Sequence, residues 1–146
     1  MPKYSRTKVI NRVIDANINR AKEGLRVCEE ITRFILNSPK LTSGFKKLRH
    51  EIDTAVKGLA AYKDLLKERD SPKDVGRDIY INELKRRNLQ DIFFANIQRV
   101  KESIRVLEEF AKLINKKCAI QFKKIRYDIY EFEKDAVKRI SALSNH

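Results

Sequence analysis

Apolar residues recur at helical spacing in four long stretches of the chain. The first carries Val13, Ala16, Val27, Ile31 and Phe34, and predicts a helix from about Lys8 to Leu36. Asn37, Ser38 and Pro39 then read as a stop, an N-cap and a proline at the first helical position, where the missing N–H costs nothing. Leu41, Phe45, Leu48, Ile52, Ala55, Val56 and Leu59 predict a second helix reaching about Lys67. A third runs from about Asn82 to about Asn115, and Phe122, Ile125, Ile129, Phe132, Val137 and Ile140 mark a fourth. Between the second and third, the segment Asp70-Ser71-Pro72-Lys73-Asp74-Val75-Gly76 gathers a proline, a glycine and two aspartates, which predicts a loop.

The first and third stretches are copies of one pattern. Ala16 to Phe34 reads ANINRAKEGLRVCEEITRF and Ala95 to Leu113 reads ANIQRVKESIRVLEEFAKL, with ten of nineteen positions identical. Phe45-Lys46-Lys47-Leu48-Arg49 likewise matches Phe122-Lys123-Lys124-Ile125-Arg126, two residues out of register because the second turn is shorter. The expected fold is therefore all-α: four long helices as two tandem-duplicated antiparallel hairpins forming a pseudo-twofold bundle. One domain spans residues 1–146, with repeat one at about 9–68, a connecting loop at about 69–82 and repeat two at about 83–144.

Composition sharpens this only in places. Four Gly, three Pro and 36% charged residues suit long helices. The formal charge of +13 invites an anionic partner, whether nucleic acid, an acidic membrane surface or a phosphorylated small molecule, with a lysine-rich solvated face as the plainer account. Cys28 and Cys118 lie inside helical patterns, so neither a disulfide framework nor a zinc site is indicated. No apolar stretch approaches the roughly 20 residues that span a bilayer, and the N-terminus has no apolar signal core, so a cytoplasmic protein is expected.

Packing explains apolar identities between the halves, so the polar ones carry the information. They are Asn17/Asn96, Arg20/Arg99, Lys22/Lys101, Glu23/Glu102, Arg26/Arg105, Glu29-Glu30/Glu108-Glu109 and Arg49/Arg126. Projected on the predicted apolar stripe, Arg20 and Arg99 fall inward with Asn17 and Asn96, Glu23 lies at the edge, and Arg26, Glu29 and Glu30 face outward. Arginines in a bundle core need an anion with good geometry. Either Glu23 and Glu102 supply it in a network that fixes helix register, or the guanidinium groups hold a phosphate. Features present in one half alone are Asp15 (opposite Phe94), His50 (opposite Tyr127) and the loop with Arg69, Asp70, Asp74 and Gly76. Asp70 and Asp74 suit a divalent cation or a hydroxyl as well as they suit a plain turn. The chain contains no GxxxxGK[ST], GxGxxG or HExxH motif.

The run Asp15 to Val27 (DANINRAKEGLRV), with Glu29-Glu30, Arg33-Phe34, Leu48-Arg49-His50, the segment Arg69 to Gly76 (RDSPKDVG) and Arg105 to Phe110 (RVLEEF), resembles a known family. It is similar to the helical domain fused to the N-terminus of some bacterial thiamine phosphate synthases, over about Val9 to Asp135. That domain is regarded as a stand-in hydroxymethylpyrimidine phosphate kinase. The resemblance implies an enzyme that uses ATP and Mg²⁺ to convert hydroxymethylpyrimidine phosphate to its pyrophosphate. It implies Arg20, Arg49, Arg99 and Arg126 on phosphates, Asn17 and Asn96 on the pyrimidine or its phosphate, and Glu23 and Glu102 orienting the arginines. Asp15, Asp70 and Asp74 would be the catalytic carboxylates, the last two also as Mg²⁺ ligands or acceptors of the substrate proton. The synthase barrel is absent from this sequence, so a separate thiamine phosphate synthase is the expected partner, and a homo-oligomer is compatible. Two other readings compete: a basic nucleic-acid-binding helical protein and a non-catalytic scaffold. An arginine-lined cleft would favour the enzyme over both.

Overall fold

The computed structural model describes residues 3–78 and 84–144. Within them the regular structure is all helical: α1 (Lys3–Glu30), prolonged by a π-helical turn at Ile31–Ile35, α2 (Pro39–Lys57), α3 (Tyr62–Glu68), a 3₁₀ turn at Ser71–Lys73, α4 (Leu89–Ala111) and α5 (Lys116–Ser144). α1 packs along α2 and α4, α5 packs along α4 and α2, and α3 lies against α1. The four long helices thus surround one core. It is filled by Leu25 of α1, Phe45 and Ile52 of α2, Phe93, Ile104 and Leu107 of α4, and Phe122 and Ile129 of α5, all fully buried. Phe45 is its aromatic centre, with the Phe93 ring 6.4 Å away edge-on and the Phe132 ring 5.8 Å away.

The turns follow from local chemistry. Ser38 caps α2, its Oγ accepting from the Leu41 amide at 3.2 Å, and Pro39 occupies the first turn. Asn37 adopts a left-handed φ of 50°, a conformation asparagine tolerates better than most residues. The buried Thr32 hydroxyl bonds to the Glu29 carbonyl at 2.9 Å and to Thr42 Oγ1 at 3.0 Å, tying the π turn to α2. Asn88 caps α4 by accepting from the Asp91 amide at 2.9 Å. Among the described residues, no helix is long and apolar enough to cross a membrane.

Three sequence expectations are corrected. The second helix does not continue to Lys67. It stops at Lys57, the amides of Gly58, Leu59 and Ala60 turn back onto Ala55 and Val56, and α3 starts afresh at Tyr62. The third helix begins at Leu89 and ends at Ala111, and Asn82, its expected start, lies outside the described residues. Most consequentially, α1 is turned by about one residue from its expected phase. Its buried face is Ile14, Asn17, Ala21, Leu25 and Cys28, while Val13, Ala16 and Val27 are half-buried and Phe34 is 62% exposed. A one-residue shift rotates a helix by about 100°, enough to bring Arg20 from the core to water. The side chains decide it: this phase buries aliphatic bulk and leaves the guanidinium solvated, avoiding a desolvation cost of several kcal/mol.

Two glycines mark close approaches. A Cβ on Gly24 would lie 2.6 Å from Val100 Cγ2 and 3.0 Å from the Asn96 carbonyl, so α1 and α4 touch there backbone to side chain. A Cβ on Gly44 would collide with the Phe132 ring, which is wedged against Phe45. Gly44→Ala is therefore expected to lower stability by about 1–3 kcal/mol, despite alanine's better helix propensity. Phe132→Leu in the same background should restore part of that loss in a urea-denaturation double-mutant cycle. A fully additive result would show that the ring yields freely.

Candidate functional site

α1 carries a polar stripe at helical spacing, with Arg12, Asn19, Arg20 and Glu23 exposed and Asp15 buried among them. Opposite this stripe runs the chain between α3 and α4, with Arg69, Asp70, Ser71, Asp74 and Arg77, and at one end stands Arg99 of α4. Together they enclose a cleft of about 420 Å³. It contains Asp15, Arg20, Glu23, Asp70, Asp74 and Arg99, six of the residues expected from the sequence. Asp70 and Asp74 reach it because the 3₁₀ turn around Pro72 folds the segment back on itself, the Lys73 and Asp74 amides donating to the Asp70 and Ser71 carbonyls at 3.2 Å.

Within the cleft one pair is fixed. Arg69 Nε and Nη2 donate to Asp15 Oδ2 and Oδ1, each at 2.8 Å, a fork-to-carboxylate match across 54 residues of chain. Asp15 is 7% exposed, and Asn19 Nδ2 also approaches its Oδ1 at 3.4 Å. The hydrogen bond to Asp15, and then its charge, hold the Arg69 guanidinium above its ordinary pKa. Asp74 Oδ1 accepts from the Gly76 amide at 2.8 Å, so one of its oxygens serves the turn.

The remaining cations are treated differently. Arg12, Arg20, Arg77 and Arg99 form no ion pair among the described residues; Arg20 Nη1 reaches only the neutral Asn17 Oδ1, at 3.5 Å. With Arg69 the cleft lining carries five guanidinium groups against the carboxylates of Asp15, Glu23, Asp70 and Asp74, a formal excess of one positive charge, so anion binding there would rest on individual guanidinium contacts. Two half-buried arginines outside the cleft are firmly answered. Arg49 donates to Glu29 at 2.9 Å and Arg126 to Glu108 at 3.0 Å, with Arg26 and Arg105 bonding the same two glutamates. Glu29 and Glu108 are 3% and 4% exposed. Hydrogen bonds from Arg126 to Glu108, and then to Tyr130, raise the Arg126 pKa above its usual range.

Several expectations about individual residues change accordingly. Arg20 and Arg99 are exposed on the flank of the bundle, not inside it. Glu29 and Glu108, expected outward, are the buried acids, because they and not Glu23 or Glu102 answer the inward arginines. Arg49 and Arg126 lie apart from the cleft, committed to those pairs. Asn17 and Asn96 spend their amide N–H on the Val13 and Ile92 carbonyls one turn back, each at 2.8 Å. Glu102 lies beside Arg126 and Tyr130 in a separate cavity of about 440 Å³. Sequence reasoning passed over Arg12 and Arg77. The polar stripe Arg12–Asp15–Asn19–Glu23 was the available signal for the first, and nothing local marks the second.

The family model for the ThiD2 family matches residues 12–135, most of the chain and the whole of the cleft. The chain belongs to the ThiD2 family. Among curated relatives, the thiamine-phosphate synthase of Nostoc punctiforme is 39% identical over 129 residues, covering 86% of this chain and 35% of that protein. The thiamine-phosphate synthase of Rhodopirellula baltica is 34% identical over 139 residues, covering 94% of this chain and 37% of that protein. This ThiD2 chain thus spans little more than a third of the length of either. No solved structure matches it.

Phosphoryl transfer ordinarily requires Mg²⁺, and the donor set can be tested for it. Among the described residues, no three acidic, histidine or cysteine side chains converge to hold a metal by themselves. Asp70 and Asp74 are two oxygen donors in one cleft. One or two carboxylates, with phosphate oxygens and water completing the octahedron, is the ordinary way Mg²⁺ is held beside a nucleotide. The residues fit an ion that arrives with phosphates.

Proposed function

We propose that this chain transfers the γ-phosphoryl group of ATP to hydroxymethylpyrimidine phosphate, giving the pyrophosphate used in thiamine synthesis. The observation that carries the reading is the set of four guanidinium groups, Arg12, Arg20, Arg77 and Arg99, that have no carboxylate partner among the described residues and share a cleft with Asp70 and Asp74. The reaction must bring two phosphorylated molecules together, so charge neutralisation and alignment are the main demands on the protein. Arg20 and Arg99 span the cleft from α1 to α4 and would hold the phosphates of donor and acceptor in line. Asp70 and Asp74 would hold Mg²⁺, which would supply neutralisation of phosphate charge.

The acceptor atom is an oxygen of a phosphate monoester. With a second pKa near 6 that oxygen is already anionic at neutral pH, so no carboxylate is needed to take a proton. Asp15 is accordingly a positioning residue: both its oxygens are engaged by Arg69, which it holds at the mouth of the cleft. The two hairpins descend, in this reading, from one duplicated unit whose mirrored Arg49–Glu29 and Arg126–Glu108 pairs are structural. The test is incubation of purified protein with ATP, Mg²⁺ and hydroxymethylpyrimidine phosphate. A pyrophosphate product whose formation stops on chelation is expected. No product under conditions where an authentic kinase works would overturn the assignment.

A further inference from the structure

Beyond the Arg69–Asp15 pair lies a second cavity of about 690 Å³. It shares Asp15, Asn19, Glu23 and Arg69 with the arginine cleft, so the two are continuous through that pair. Its other walls are of a different kind: Ile18, Val56, Ala60, Ala61 and Leu65, with the ring of Tyr62, edged by Lys22, Asp53 and Lys57. The chamber exists because α2 stops at Lys57 and α3 sets off again at Tyr62, leaving a gap that Ala60 and Ala61 do not fill.

The corresponding place in the other half holds a smaller cavity of about 440 Å³, lined by Gln98, Lys101, Glu102, Arg105, Arg126 and Tyr130 without an aliphatic wall. The sequence position of Val56 is taken there by Glu133, which holds Lys101 at 3.0 Å, and that of Asp53 by Tyr130, which accepts from Arg126 at 3.0 Å. Duplicated frames diverge where one copy acquires a task. Cavities of this size, mostly apolar with a few convergent polar groups, are the usual form of a small-molecule site. An apolar wall is wrong for phosphate and right for a flat, weakly hydrated ring. Tyr62 remains 71% exposed beside it, a free aromatic platform. At the rim, Asp53 Oδ1 takes Lys22 Nζ at 2.8 Å, which leaves carboxylate lone pairs for an exocyclic amine.

We infer that the two cavities form one bipartite site, in which a planar amino-substituted nitrogen heterocycle stacks on Tyr62 with its amine toward Asp53 while its phosphates lie among the arginines. This rests on the reading above in placing phosphates in the arginine cleft. Adenine of the nucleotide and the pyrimidine of the acceptor both have the required chemistry, and kinetics separates them. Steady-state rates for wild type, Tyr62→Ala, Tyr62→Phe and Asp53→Asn, each substrate varied in turn, form one arm. Calorimetric binding of inorganic pyrophosphate forms the other. Tyr62→Ala should raise KM about tenfold for one substrate, the loss expected when an aromatic platform is removed. KM for the other should stay within twofold, with Tyr62→Phe restoring the wild-type value and Asp53→Asn raising the same KM. The substrate that responds names the ring. Should folded Tyr62→Ala leave both KM values unchanged while pyrophosphate still binds, the apolar chamber is not a ring site and the arginine cleft stands. Failure of wild type to bind pyrophosphate would overturn both.

Discussion

Replacing Arg20 by alanine is expected to lower kcat/KM for phosphorylation of the pyrimidine phosphate by at least about a hundredfold while the protein stays folded. A preorganised donor aimed at developing charge is worth roughly 10²–10³ in rate when removed, and an arginine on a transferring phosphoryl group as much as 10³–10⁵. The side chain is exposed and makes a single long contact, to Asn17 Oδ1 at 3.5 Å, so its loss leaves little structural debt. Arg99→Ala, on the facing helix, should behave alike, and the double variant should lose less than the product of the two if both hold one anion. Lysine at position 20 should recover only part of the rate, having charge without the bidentate fork. The measurements are initial rates with a circular-dichroism melt on each variant. Turnover near wild type in folded Arg20→Ala would remove this side chain from the mechanism.

The second large effect is structural. Arg49→Ala strands Glu29, which is 3% exposed, with only the exposed Arg26 to answer it. Removing one partner of a buried pair costs about 3–5 kcal/mol. The residual Arg26 contact at 3.1 Å places this case near about 3 kcal/mol, a fall in Tm of roughly 10 °C for a chain of this size. Arg126→Ala should match it through Glu108, because Arg105 stands to Glu108 as Arg26 does to Glu29. Replacing both members, Glu29→Leu with Arg49→Leu, should regain most of the loss, since a buried pair adds little over well-packed apolar side chains. A melt in which Arg49→Ala is as stable as wild type would show that Glu29 finds water.

The sequence made the helical class plain, because four 3.6-residue periods and so few breakers leave little else to form. The turn at Ser38-Pro39 and the crowded Asp70–Gly76 segment were equally readable, their signals being local. Comparing the two halves set Asp15 and the loop, present in one half alone, apart from the shared polar set, and Asp15, Asp70 and Asp74 do line one cleft. The phase of α1 was not readable by the same means. Val13, Ala16 and Val27 are as apolar as Ile14 and Leu25, so two stripes about 100° apart fit nearly as well, and only packing against α2 and α4 chooses between them. With the phase went the roles of Arg20 and Glu29, which exchange the inside for the outside. The Arg69–Asp15 pair was beyond reach for another reason. It joins residues 54 apart through a loop whose path no periodicity describes.

The stop after Lys57 has a wider bearing. Gly58 stands where the sister helix carries Asp135 and runs on unbroken to Ser144. The helix after the first turn is thus interrupted where its sequence counterpart, α5, runs straight, and the cavity beside Tyr62 opens at that interruption. Changes in cargo during evolution should then concentrate in residues 58–78, where the hollow was made. If the chamber holds a ring as inferred above, transplanting that stretch between relatives should exchange their ring preference while leaving the long helices unchanged.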